Sequence, residues 1–200
     1  EVRRPLADLP PGGRAHVRPD GLRHIRAGHV VRPTPGDLPQ HLDDQGRVVG
    51  NAKFGVYAFY DYDGEPIYVG QTNEQLRVRV RRHLTNQRTD AVAMRVLDVF
   101  EVAELQVWPL WELEGEPDRS VWKARLDAVE YSAYVQAIQD SRFKAILNEK
   151  IPPISDPVPL PQGYRYSLVA ATDESERRHP DVRIARRAET ISRLAAVARE

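Results

Sequence analysis

The 200-residue chain has no cysteine, which excludes disulfides, thiolate zinc sites and a cysteine nucleophile and fits a reducing compartment. It has no apolar run approaching the roughly eighteen residues of a spanning helix. Its first residues, Glu1-Val2-Arg3-Arg4-Pro5, lack the apolar centre of a secretory signal. A cytoplasmic protein with no membrane partner is expected. Glycine-rich phosphate loops and internal repeats are missing too. Lysine is scarce: the 29 basic residues include only Lys53, Lys123, Lys144 and Lys150. The rest are arginines, whose planar fork suits bidentate contacts to phosphate or guanine edges. Excess charge of either sign is absent, since 29 acids balance the bases.

What is present is a segregation of sign. Residues 77 to 88 hold Arg77, Arg79, Arg81, Arg82 and Arg88 and no acid, whereas residues 98 to 118 hold seven acids and no base. One face can attract phosphate while another repels it. Just before the arginine run lie two tripeptides, Gly55-Val56-Tyr57 and Tyr68-Val69-Gly70. Phe54 to Tyr60 alternates bulky side chains and predicts a strand, Asp61 to Pro66 a turn, and Ile67-Tyr68-Val69 the returning strand. Leu76, Val80 and Leu84 recur every fourth residue and give a helix a buried stripe, with Arg79 and His83 on a second stripe. A phosphate between strands and helix could meet Tyr57, Tyr68, Arg79 and His83.

A hydrophobic content of 41% supports one principal core rather than two equal domains. Residues 1–50, rich in Pro, Gly and Arg, read as an N-terminal arm. Residues 51–155 read as the core, and residues 156–200 as an extension carrying a helix. The apolar run Leu22 to Val31 could pack on the core, with Arg14, Arg18, Arg23, Arg26 and Arg32 free to touch a nucleic-acid backbone; a surface wrap is the other reading of this arm. Ala91 to Val102 continues as helix or turn, and Leu105 to Trp111 is a third strand that Pro109 places at an edge or ends early. Residues 119 to 139 have helical periodicity in Trp122, Leu126, Val129, Ala133 and Ala137. Glu130 lies on that stripe and needs a partner, a metal ion or a facing arginine, because an unpaired buried charge is costly. From Arg177 onward Ile184, Ala188, Ile191, Leu194 and Val197 form one side of a last helix, suited to docking on the core, to dimerisation or to DNA contact.

In the order of these residues the chain resembles the GIY-YIG nuclease family over roughly residues 54 to 150. The resemblance implies an α/β (α+β) core built on a three-stranded antiparallel sheet flanked by helices. It implies an essential arginine at Arg79 and, four positions on, a tyrosine or histidine, here His83. Glu130 would bind one divalent metal, Mg2+ or Mn2+, and Asn148 would be the asparagine found beyond it. The family usually carries a basic residue directly after the second tripeptide, where this chain has Gln71. Arg77, Arg81, Arg82 and Gln71 are the expected DNA contacts, and double-stranded DNA the expected partner.

The implied chemistry is phosphodiester hydrolysis. Tyr57 would act as, or position, the general base, helped by Tyr68; Arg79 would neutralise the phosphate; and the metal on Glu130 would stabilise the leaving oxygen. A phenol with a pKa near 10 needs a cation nearby to serve as base. Each residue also has an ordinary reading, as hairpin packing, a solvated arginine, a satisfied histidine or a core ion pair. A compact core with short arms looks like a stand-alone restriction-type endonuclease, with a homodimer as one route to double-strand cleavage. A structure-specific or nonspecific mobile-element, repair or toxin nuclease, and a non-catalytic DNA-binding relic of the fold, are the alternatives.

Overall fold

The computed structural model describes residues 41–85, 99–148, 150–169 and 173–197. These fall in one compact unit that spans residues 31–200. The arm up to residue 40, Arg88 and residues 91–98, for which the sequence raised expectations, lie outside the described residues.

Strand β1, Gly55–Tyr60, pairs antiparallel with β2, Pro66–Thr72, across the predicted turn. That turn is fixed by Asp61, whose Oδ1 accepts from the backbone N–H groups of Asp63 and Glu65. Gly64 adopts the φ of +74° that a side chain would disfavour. On its other side β1 pairs antiparallel with β3, Glu104–Pro109. Pro109 thus ends an inner strand, the second of the two outcomes its ring allows.

The expected three strands are four. Residues Tyr164–Ser167 form β4, antiparallel to β3, and the sheet order is β2-β1-β3-β4. The strand lies in the segment read from sequence as an extension. Its signal was the alternation Tyr164-Arg165-Tyr166-Ser167, obscured by the proline-rich approach at 152–161. Arg165 there sits 4.0 Å above the Tyr60 ring and pairs with Glu104.

Helices cover both faces. All six residues of β1 are buried, as a central strand with two covered faces requires. Tyr57 and Phe59 pack with Leu76, Val80 and Leu84 of α1, Leu76–Thr85. Val56, Ala58 and Tyr60 pack with Leu126, Val129, Ala133 and Ala137 of α2, Arg119–Asp140. Asp118 caps α2 by accepting from Ser120 N at 2.7 Å.

A short α3, Glu174–Arg177, leads into α4, Pro180–Val197. Docking through the apolar stripe of α4 was one of the three readings of this helix, and its Ile184 and Ile191 are exposed. Arginines hold the helix instead. Arg183 reaches Asp63 at 2.9 Å and Arg186 reaches Glu101 at 2.7 Å, while Arg178 donates to the Tyr62 carbonyl. Periodicity missed this because the docking surface is an acidic patch at the hairpin turn, visible only after folding. Among the described residues no helix is long and apolar enough to cross a membrane.

Candidate active site

The site is organised around β2, the edge strand of the sheet. Pairing shifts by one residue where Phe59 faces Tyr68 and Tyr60 faces Pro66, so Ile67 is bulged out immediately before Tyr68. Such a bulge turns the following side chain and twists the edge. The free side of β2 is occupied by a loop: Leu147 N donates to the Ile67 carbonyl at 2.7 Å. Asn148 then imitates a neighbouring strand, its Nδ2 donating to Val69 O at 2.8 Å and its Oδ1 accepting from Val69 N at 3.0 Å. Asn148 therefore fastens the backbone between Tyr68 and Gly70, and its amide is already engaged there.

On the α1 face, Tyr57 is fully buried and its hydroxyl shares a 2.7 Å hydrogen bond with His83 Nε2. Arg79 Nε donates to the same oxygen at 3.4 Å. The proton arrangement follows from counting partners. If the phenol donates to Nε2, the one orphan is the Nδ1–H of His83, a buried nitrogen with no partner among the described residues. If Nε2–H donates instead, both Nδ1 and the phenol proton are stranded. The first arrangement is favoured, with the hydroxyl as donor to histidine and acceptor from arginine. Tyr68 completes the cluster, its ring centroid 6.2 Å from Tyr57 and 5.9 Å from His83.

Burial pushes the Tyr57 phenol well above its usual value, the nearby Tyr68 adds to this, and Arg79 only partly offsets it. Burial also lowers His83 to about 4, assisted by the positive charges of Arg79 and Arg82. Both groups are thus neutral near pH 7. The phenolate that the sequence argument asked Arg79 to stabilise is not the resting state.

Glycine at 70 has a steric cause. Gly70 stands opposite Tyr57, and a Cβ there would fall 2.6 Å from the Tyr57 hydroxyl oxygen and 2.8 Å from Tyr68 Cε1. Gly70→Ala should fold with Tyr57 displaced. Its cleavage rate should fall by at least tenfold, and the ultraviolet titration of the buried tyrosine should shift toward lower pH; an unaltered rate would mean that the hydroxyl's position is immaterial.

Glu130 comes from α2, on the other face of the sheet. Lys123, Asp127 and Glu130 follow one another at helical spacing along one side of α2. The Gln71 amide donates to Asp127 Oδ1 at 2.8 Å, and Lys123 Nζ lies 2.5 Å from Asp127 Oδ2. Burial and, after it, the Asp127 charge raise Glu130; Lys123, Gln71 and Arg79 pull it back, and the balance stands at about 7. The field of Arg79 thus spans from Tyr57 to Glu130 around the edge of β2.

The donor set suits a hard divalent cation. Among the described residues no three His, Cys, Asp or Glu side chains form a cage. Magnesium needs none, since it keeps waters and takes one or two carboxylates plus substrate phosphate oxygens. A carboxylate whose ionisation is resisted by burial, and which a cation would favour, fits that role.

Of the expected DNA contacts, Arg77 and Arg81 are exposed on α1, while Arg82 is paired with Glu74 and Gln71 with Asp127. Sequence reading missed Lys123 and Asp127, although their spacing from Glu130 was available to find them.

The fold and these side chains define a small mixed α/β domain with a tyrosine, histidine, arginine and glutamate assembled at a sheet edge. Residues 53–120 match the family model of the GIY-YIG catalytic domain. The match supports the GIY-YIG superfamily and a hydrolytic endonuclease acting on DNA, a type generally dependent on a divalent metal. The matched span contains Tyr57, Tyr68, Arg79 and His83 and stops short of Glu130 and Asn148. No curated protein and no solved structure matches the chain.

Proposed function

We propose that the chain is a metal-dependent endonuclease of restriction type that cuts double-stranded DNA, with residues 51–155 as its nuclease core. The observation that carries this reading is the Tyr57 hydroxyl, held between His83 Nε2 and Arg79 within the matched span. A neutral phenol that already donates to a neutral imidazole is arranged for a relay: as Tyr57 Oη takes a proton from water, its own proton passes to His83 Nε2. No separate phenolate is needed. Burial holds His83 low and the fields of Arg79 and Arg82 add to it; the arriving phosphodiester is an anion, which counters the arginine part. Arg79 now covers the hydroxyl, so drawing its guanidinium to the phosphate exposes the base as it neutralises the substrate. Magnesium or manganese, one per site on Glu130, would supply Lewis-acid stabilisation of the departing 3′ oxygen. Tyr68 orients the water or phosphate beside Tyr57, Asn148 fixes the strand that carries Tyr68, and Arg77, Arg81 and Arg82 follow the DNA backbone.

One such site cuts one strand, and a homodimer acting in the cytoplasm completes the break. The residues flanking the core, 1–50 and 156–200, would supply the sequence readout. The test is digestion of methylated and unmethylated plasmid with magnesium, followed by sequencing of the ends. Discrete fragments with a common end sequence are expected. A smear, or cleavage confined to branched DNA, would move the chain to the mobile-element, repair or toxin class of nuclease.

A further inference from the structure

Beside Arg79 the surface sinks into a cleft of about 230 Å³ between the end of β2 and the first turns of α2. Its walls include Gln71, Arg79, Arg119, Trp122 and Lys123. Three cations thus face it. The carboxylate on the same wall, Glu74, is already engaged by Arg82. Among the described residues Arg119 has no carboxylate partner, and its guanidinium lies 6.0 Å from the Trp122 ring centroid. Lys123 is paired with Asp127 at i,i+4, its own side chain about half exposed and that of Asp127 largely buried, so its ammonium remains open to an anion in the cleft. Gln71 adds a neutral amide on the β2 side.

We infer that this cleft is a second phosphate subsite, which takes the phosphodiester adjoining the scissile one, with Lys123 and Arg119 as its charged ligands. The inference rests on the proposed nuclease reading for the identity of the strand, but its chemistry belongs to the cleft. A cleft that opens onto Arg79 receives the next phosphate of any strand whose scissile phosphate lies on Arg79. Arg119, without a carboxylate partner among the described residues, and the half-exposed Lys123 select an anion, and the Trp122 ring offers a flat apolar wall to the sugar beside it. Lys123 and Arg119 are therefore binding residues that hold the strand in register without touching the reacting atoms.

The test compares the full chain with Lys123→Gln, Arg119→Gln and the double variant on a short mixed-sequence duplex. Affinity is measured across a salt series in calcium, and single-turnover cleavage in magnesium. Each lost phosphate contact lowers the salt slope of binding by roughly one unit, so the double variant should lose roughly two. Because Lys123 also lowers the pKa of Glu130, the rate comparison uses Arg119→Gln alone: its rate at saturating enzyme should stay within about threefold of the parent, whereas Arg79→Ala should lose rate at saturation. Lys123→Arg should restore the slope, which a merely structural lysine would not require, and unchanged melting points exclude misfolding. Slopes identical to the parent's would overturn the subsite while leaving the nuclease reading intact. If the parent binds with the expected slopes and cuts nothing, the subsite stands and the nuclease reading falls. If the parent binds no DNA, both fall.

Discussion

Tyr57→Phe should fold, bind DNA and bind metal, yet lose on the order of a hundredfold or more in single-turnover cleavage rate. The ring is fully buried against Phe59, Tyr68 and His83, and phenylalanine fills the same space. What disappears is the hydroxyl, with its 2.7 Å bond to His83 and its contact to Arg79. Leaving His83 Nε2 buried without a donor costs about 1–3 kcal/mol, so the melting point should drop modestly. Rate and stability therefore separate the two readings of this tyrosine. A purely structural hydroxyl lowers the melting point and spares the rate; a catalytic one lowers the melting point by the same modest amount and the rate by far more. Cleavage within a few-fold of the parent would require another base, and among the described residues no other hydroxyl is placed between His83 and Arg79.

The half of the candidate site on the α1 face was legible before folding because its residues sit at local spacings. Arg79 and His83 are one helical turn apart, and Tyr57 and Tyr68 lie on the two arms of one hairpin. What could not be read was the consequence of burial. Sequence gives Tyr57 a nearby cation, which by itself lowers a phenol, but enclosure on both faces of the central strand outweighs it. The second half was legible only in part. Glu130 was marked by a charge on an apolar stripe, whereas its surroundings, Gln71 across the edge of β2 and Lys123 on the same helix, depend on tertiary placement. The fourth strand was hidden for a similar reason. Four residues of alternation after a proline run carry little weight until β3 offers an edge to pair with. Apolar periodicity was the wrong guide at the last helix, where ion pairs to Asp63 and Glu101 decide which side faces inward.

Glu130→Gln should abolish cleavage and, in the absence of divalent metal, stabilise the fold at neutral and alkaline pH. The sign follows from burial. An unfolded glutamate ionises around its ordinary value of 4.5, but in the folded protein desolvation and Asp127 hold Glu130 to about 7. The folded state therefore retains a proton that the unfolded state gives up. The parent keeps its full stability below about pH 4.5, loses part of it as pH rises toward 7, and above that carries the whole cost of a buried carboxylate. Glutamine never titrates, so its melting point should exceed the parent's above pH 7 in chelator and converge on it near pH 4. Magnesium reverses the order. A cation that binds only the folded parent adds about 2.7 kcal/mol at a hundred times its dissociation constant, and the amide, a far weaker ligand, should gain almost nothing. DNA affinity should change little, because a metal ligand serves the transition state more than the ground state. Full cleavage by Glu130→Gln, or a parent melting curve indifferent to magnesium at pH 8, would remove the metal from this carboxylate and leave Glu130 as a partner of Lys123, Gln71 and Arg79.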